Sequence, residues 1–259
     1  MRIVIVRDYE ELSREAARKV KTRLAARPDL KLGLCAGSTP EGLYKELVRL
    51  HRDEGLSFKR VQTFNLVEYL GMGPGDPNSL GFFISENLLR RLDIPETNRH
   101  VLDGRAENPE KHCRWYEDLI IKAGGIDLQL LGIGRVGHIG FNEPGSSLAS
   151  RTRIKKLDEQ TIQDNSRFFP PGRTAPERGI TLGVGTILES EEILLLASSA
   201  NKAEIVSKAI EGPVTNQVTA SILQLHPKVT VILDEAAASC LERKEYYKYA
   251  EEQRRRKGE

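Results

Sequence analysis

The chain has 259 residues, with 39 Lys and Arg against 37 Asp and Glu and a formal net charge of +2. That balance gives no reason to expect a nucleic-acid or membrane-surface partner, and no run reaches the roughly 18 apolar residues of a membrane helix. Cys35, Cys113 and Cys240 are too widely spaced for a disulfide framework or a zinc site. Together with an amino terminus, MRIVIVRDYEEL, that lacks the apolar core of a secretory signal, they predict reduced thiols and a cytoplasmic location.

In chain order, short apolar runs at 2–6, 31–35, 61–67, 127–134, 192–198 and 228–234 read as strands covered on both faces. Amphipathic patterns at 9–27, 40–53, 79–92, 108–123, 201–211 and 235–250 read as helices, with Thr39-Pro40 as a cap and first-turn proline. The last stretch, YYKYAEEQRRRKGE, reads as a solvated, fraying helix end. No linker rich in Pro, Gly or Ser divides 1–259, so one domain is expected. Strand–helix alternation at this spacing predicts an α/β fold: a single doubly wound, mostly parallel sheet with helices on both faces, Rossmann-like.

Ligands in such sheets bind beyond the carboxyl ends of the strands, and three loops stand there. CAGSTP (35–40) opens a helix. Gly37 lets backbone approach a ligand, Ser38 and Thr39 bring hydroxyls, and free N–H groups at the helix start favour an anion. The same residues would also make an ordinary capped turn, and no GK[ST] follows to make a P-loop. FNLVEYLG (64–71) offers Glu68 and Tyr69, while Val67 merely continues an apolar run.

GRVGHIGFNEP (134–144) sets His138 among glycines, with Glu143 five residues on. A lone histidine is usually structural. After a buried strand, paired with a carboxylate, it suits proton transfer near neutral pH. Downstream, Arg167 and Lys202 could hold a phosphate, although each taken singly reads as a solvated charge. No histidine pair has metal-ligand spacing, so no metal is expected.

TFNLVEYLG, GIGRVGHIGFNEPGSSLASRTRIK, NSRFF, LGVGTILESEEI and SILQLHP, in this order, resemble the glucosamine-6-phosphate deaminase family over nearly the whole chain. The wider group includes 6-phosphogluconolactonases, which share the fold. The resemblance implies conversion of glucosamine 6-phosphate to fructose 6-phosphate and ammonia, reversibly and without an organic cofactor. It implies that His138, supported by Glu143, assists ring opening. It assigns substrate phosphate to Gly37, Ser38, Thr39, Arg167 and Lys202. It matches Ser146, Ser147, Arg153 and Lys155 to a subunit-interface activator site for N-acetylglucosamine 6-phosphate, with Lys156 departing from that pattern. Family members are monomers or hexamers, so a homo-oligomer is one expectation. The partner it implies is a small phosphosugar.

The departures cluster in the active-site motifs. Val67 stands where the family carries its proton-acceptor Asp, and Val136 where it carries a second polar residue. Leu80 replaces a usual Tyr, and Ala36 a Thr of some members. Valine cannot take a proton, and losing a positioned base costs about 10² to 10⁴ in rate. Two such replacements imply a pocket made apolar by design or divergence. Three readings follow: a deaminase scaffold of reduced activity, a non-catalytic phosphosugar binder, or a site for a more apolar substrate with His138 or Glu143 as base.

Overall fold

The computed structural model describes residues 1–258. Among them are ten strands and eight α-helices. The strands are β1 (Arg2–Val6), β2 (Lys31–Leu34), β3 (Gln62–Asn65), β4 (Val67–Tyr69), β5 (Arg99–His100), β6 (Leu128–Gly132), β7 (Arg153–Lys156), β8 (Arg178–Thr181), β9 (Glu192–Ala197) and β10 (Val229–Asp234). The helices are α1 (Tyr9–Ala26), α2 (Ser38–Glu54), α3 (Leu80–Asn87), α4 (Pro109–Lys122), α5 (Glu159–Ser166), α6 (Val184–Leu188), α7 (Ala203–Ile210) and α8 (Lys244–Arg256).

Seven strands form one wholly parallel sheet in the order β1-β10-β9-β6-β2-β3-β5. β9 and β10 are buried along their full length, which explains why they read as unbroken apolar runs. From β2 the chain winds outward through β3 to β5. It then returns to β6, on the other side of β2, and winds the opposite way through β9 to β10. A doubly wound sheet binds ligands at such a reversal. The crevice beyond β2 and β6 is therefore the place to look for a site.

Helix α1 shows how local chemistry builds the layers. The Asp8 carboxylate caps it by accepting from Glu11 N at 2.8 Å, and Leu12, Ala16, Val20 and Leu24 form its buried stripe. No helix among the described residues is long and apolar enough to cross a membrane.

The structure corrects the expected architecture in three places. The run 61–67 is not one strand. At Leu66 the chain leaves the large sheet, and β4 pairs with β8 in a separate antiparallel sheet, β4-β8-β7. Leu66 spans the gap, donating its N–H to Leu34 O and accepting from Leu182 N, both at 2.9 Å. The expected helix at 235–250 is a series of turns followed by α8. The basic carboxy-terminal stretch is docked rather than frayed, because the buried Glu251 carboxylate accepts from Arg2 on β1 at 2.7 and 2.8 Å.

Candidate active site

A cavity of about 450 Å³ opens at the reversal point. Its floor comes from the turns after β2, β3, β6 and β9, and one wall from α5 and the residues just past it.

His138 sits in the turn after β6. Gly134 N–H donates to His138 O at 2.9 Å, and Gly137 N–H to Gly134 O at 3.0 Å, so the turn closes on itself. Gly137 has φ 85°, a conformation glycine adopts without strain. Gly134 is required for a different reason: a Cβ there would lie 2.1 Å from His138 Nε2. His138 Nδ1 lies 2.9 Å from Glu143 Oε2. Glu143 is only 4 % exposed, and its Oε1 has no partner among the described residues. Burial pushes its pKa up, but the His138 hydrogen bond and charge outweigh this and hold the carboxyl below its ordinary value. The couple is thus a charged acceptor orienting an imidazole at the edge of the cavity. Thr161 of α5 completes it, with Oγ1 3.4 Å from His138 Nδ1. The sequence reading missed Thr161 because α5 is short and polar, with no apolar period to mark it.

At the other flank, cations gather over the start of α2. Helix α2 begins at Ser38, capped by Gly37 with φ 118°, so Ser38 and Thr39 lie inside its first turn rather than forming the cap. Arg167 donates from Nη2 to Ser38 Oγ at 3.3 Å. Lys202 reaches back under the site and donates from Nζ to Ile133 O at 2.9 Å. Burial lowers its pKa, Asp164 opposes that, and Arg135 and Arg167 add to it. An entering anion would relieve this crowding of positive charge. Arg135, which pairs with Asp164 at 3.1 Å, is a third cation on the same wall. The turn before Lys202 is strained, with Ser199 at φ 83°. Its N–H is held by both oxygens of Asp234, at 3.1 and 3.0 Å.

The end of the cavity below β3 and β4 is largely apolar, with Tyr69, Asn78 and Ser79 as its polar members. Leu66, Val67, Leu80, Phe83, Phe141 and Phe169 line it. Val67 is 6 % exposed and packs by Gly140, whose absent Cβ would lie 3.4 Å from Val67 Cγ1. Glu68 faces away, accepting from the N–H groups of Tyr69, Leu80 and Gly81 at 2.8, 3.0 and 2.8 Å, and so ties β4 to α3. Burial pushes it up to about 7. Ala36 also lines the cavity, but Val136 does not. It is half-buried in the turn, outside the wall. Cys35 lies on the floor, and burial pushes its thiol up to about 12, which makes it a poor nucleophile.

Ser146, Ser147, Arg153 and Lys155 lie outside the cavity lining. Arg153 Nη1 donates to Asn142 Oδ1 at 2.9 Å, next in the chain to Glu143. Ser146 is buried with its hydroxyl unpaired among the described residues, and Ser147 is exposed.

Residues 7–232 match the family model described as glucosamine-6-phosphate isomerases/6-phosphogluconolactonase. The glucosamine-6-phosphate deaminase of Cellvibrio japonicus is 48 % identical over 97 % of this chain and 95 % of its own. That of Thermoanaerobacter pseudethanolicus is 45 % identical over 93 % and 95 %. A solved monomeric glucosamine-6-phosphate deaminase superposes with a TM-score of 0.91 at 46 % identity, covering 93 % of this chain and all of that one. The 6-phosphogluconolactonase of Trypanosoma cruzi, at 24 % identity and a TM-score of 0.74, shares the fold. On these matches, the chain belongs to the glucosamine-6-phosphate isomerase/6-phosphogluconolactonase family, on its glucosamine-6-phosphate deaminase branch.

Proposed function

We propose that the protein binds a hexosamine 6-phosphate in this cavity and carries the deaminase chemistry at a strongly reduced rate. The reaction is glucosamine 6-phosphate plus water to fructose 6-phosphate plus ammonia. The phosphate is held by the start of α2 at Gly37, Ser38 and Thr39, with Arg167 and Lys202 as counter-charges. His138, oriented by Glu143, exchanges protons with the sugar oxygens during ring opening. The hydrogen shift between C2 and C1 then needs a base, and the residue at that position is Val67, which has no atom to accept a proton.

One observation carries the reading: His138 and the cations line one cavity in which residue 67 contributes a buried valine and no carboxylate. Asp164 is the one carboxylate lining the cavity among the described residues, and it is paired with Arg135. The test is fructose 6-phosphate formation by the protein and by Val67→Asp. We expect a gain of about 10² or more, the usual worth of a positioned base. Equal and substantial turnover by both proteins refutes the reading. Binding without turnover in either favours a phosphosugar-binding protein, which the same buried valine also supports. The three unpaired cysteines fit a reducing, cytoplasmic setting.

A further inference from the structure

Ser199 is the one non-glycine residue with positive φ among the described residues. Its φ of 83° and ψ of 153° fall in a region essentially reserved for glycine, and a serine stays there only where its surroundings hold it. The hold comes from Asp234, the last residue of β10, which is 6 % exposed. The parallel register sets Leu233 beside Ala197, so Asp234 stands where the chain leaves β9. Its carboxylate accepts from Ser199 N–H at 3.1 and 3.0 Å, from Ser198 Oγ, and from Ala237 N–H at 2.7 Å. Asp234 does not line the cavity, whereas Ser198, Ser199, Asn201 and Lys202 do. From Ser199 the connection runs directly to the cation. Ser199 O accepts from Lys202 N–H at 3.1 Å, and the Lys202 side chain then reaches Ile133 O.

We propose that Asp234 is a positioning residue of the anion site: by holding Ser199 in its strained turn, it sets Lys202 to receive a phosphate. This rests on the phosphosugar reading above, in which Lys202 is a counter-charge for the ligand's phosphate. Relaxing Ser199 to a negative φ would swing its peptide groups, and the carbonyl that accepts from Lys202 N–H would move with them. Molecules with the relaxed turn would not present Lys202, so the apparent affinity would fall with the fraction that keeps the strained one. Glycine at residue 199 would adopt the same φ without strain and would need no carboxylate to hold it.

Calorimetric titration with inorganic phosphate in low salt tests this on the full chain, comparing the unaltered protein, Asp234→Ala, Ser199→Gly and the double variant Asp234→Ala/Ser199→Gly. We expect Asp234→Ala to bind phosphate at least about tenfold more weakly, the order of effect that a glycine-only conformation costs a serine. Removing a negative charge would by itself favour an anion, so the expected sign separates positioning from simple electrostatics. The double variant should recover most of the loss. Asp234→Ala/Ser199→Ala, which removes the same hydroxyl but keeps the Cβ and its strain, should not. A loss of packing alone would lower the urea midpoint without following this pattern. If Asp234→Ala does not fold, Asp234→Asn, which keeps one acceptor oxygen, takes its place, with a smaller loss expected and the same rescue by glycine. Phosphate binding by the Asp234 variant equal to that of the unaltered protein overturns the inference, and so does a failure of Ser199→Gly to rescue it. Both results leave the phosphosugar reading intact. If the unaltered protein itself binds no phosphate, the phosphosugar reading fails, and the inference falls with it.

Discussion

Gly134→Ala is the sharpest probe of the His138–Glu143 couple, because it touches neither residue chemically. The new Cβ would lie 2.1 Å from Nε2, 2.2 Å from Cε1 and 2.5 Å from Cδ2 of His138. Carbon and nitrogen rest at about 3.5 Å, so the ring must retreat by more than about 1 Å. It has little room to do so. Nδ1 is tied to Glu143 at 2.9 Å, and the turn is closed by Gly134 N–H to His138 O at 2.9 Å. Either the couple breaks or the turn opens. Overpacking of this kind destabilises by about 1–3 kcal/mol, and a 1 Å misplacement of a reacting group costs about 10² in rate. The assay is fructose 6-phosphate formation in a Val67→Asp background, where there is a rate to lose, beside a urea unfolding curve. We expect turnover to drop about a hundredfold while inorganic phosphate, held at the cationic end, still binds. A double variant as active as Val67→Asp alone would show that the position of His138 does not matter, and the proposed role with it.

Lys202→Met should weaken inorganic phosphate binding by about 10- to 100-fold, the worth of one charged hydrogen bond. An unchanged Kd in low salt would remove Lys202 from the anion site. Glu68 predicts an unusual pH dependence. Its folded pKa of about 7 stands above the ordinary 4.5. Its contribution is therefore fully present at acid pH, where both folded and unfolded forms are protonated, and is lost as pH rises toward and through 7. The fall amounts to about 3 kcal/mol. Urea midpoints at pH 5 and 8 should diverge more in the native protein than in Glu68→Gln, and parallel shifts would refute the assignment. Val67→Asp should lower stability by about 2 kcal/mol, since it gives up a buried valine side chain. A urea midpoint equal to the native one would mean that the carboxylate finds partners not apparent around residue 67.

The large sheet was legible because parallel strands covered on both faces are nearly continuous apolar runs, as ILLLA in β9 and VTVIL in β10 are. The small sheet was not. Its strands β7 and β8 are short and polar, and β4 follows β3 after a single residue, so periodicity runs straight through the corner at Leu66. The His138 and Gly37 loops were legible because each follows a buried strand. Thr161 and Asp164 were hidden by the polar character of α5, and Arg135 by its exposure within a glycine-rich loop. Val136 was grouped with Val67 by motif position alone. The turn closed by Gly134 and Gly137 leaves it outside the cavity lining, so the apolar wall rests on Val67 and its neighbours.

Residue 67 and the cations of the cavity sit in unlike surroundings. Residue 67 starts a strand, pairs with Thr181 and is 6 % exposed, a place that suits a β-branched apolar side chain. A carboxylate there must be desolvated, and it would stand one residue from Glu68, itself buried and already pushed up to about 7. Chemistry and stability therefore pull residue 67 in opposite directions, and valine serves the fold. No such conflict holds at the cationic end. Arg167 is exposed, and Lys202, although partly buried, has the Ile133 carbonyl as a partner. Those charges can stay without straining the core, so the cationic end is free of the conflict that a carboxylate at residue 67 would face.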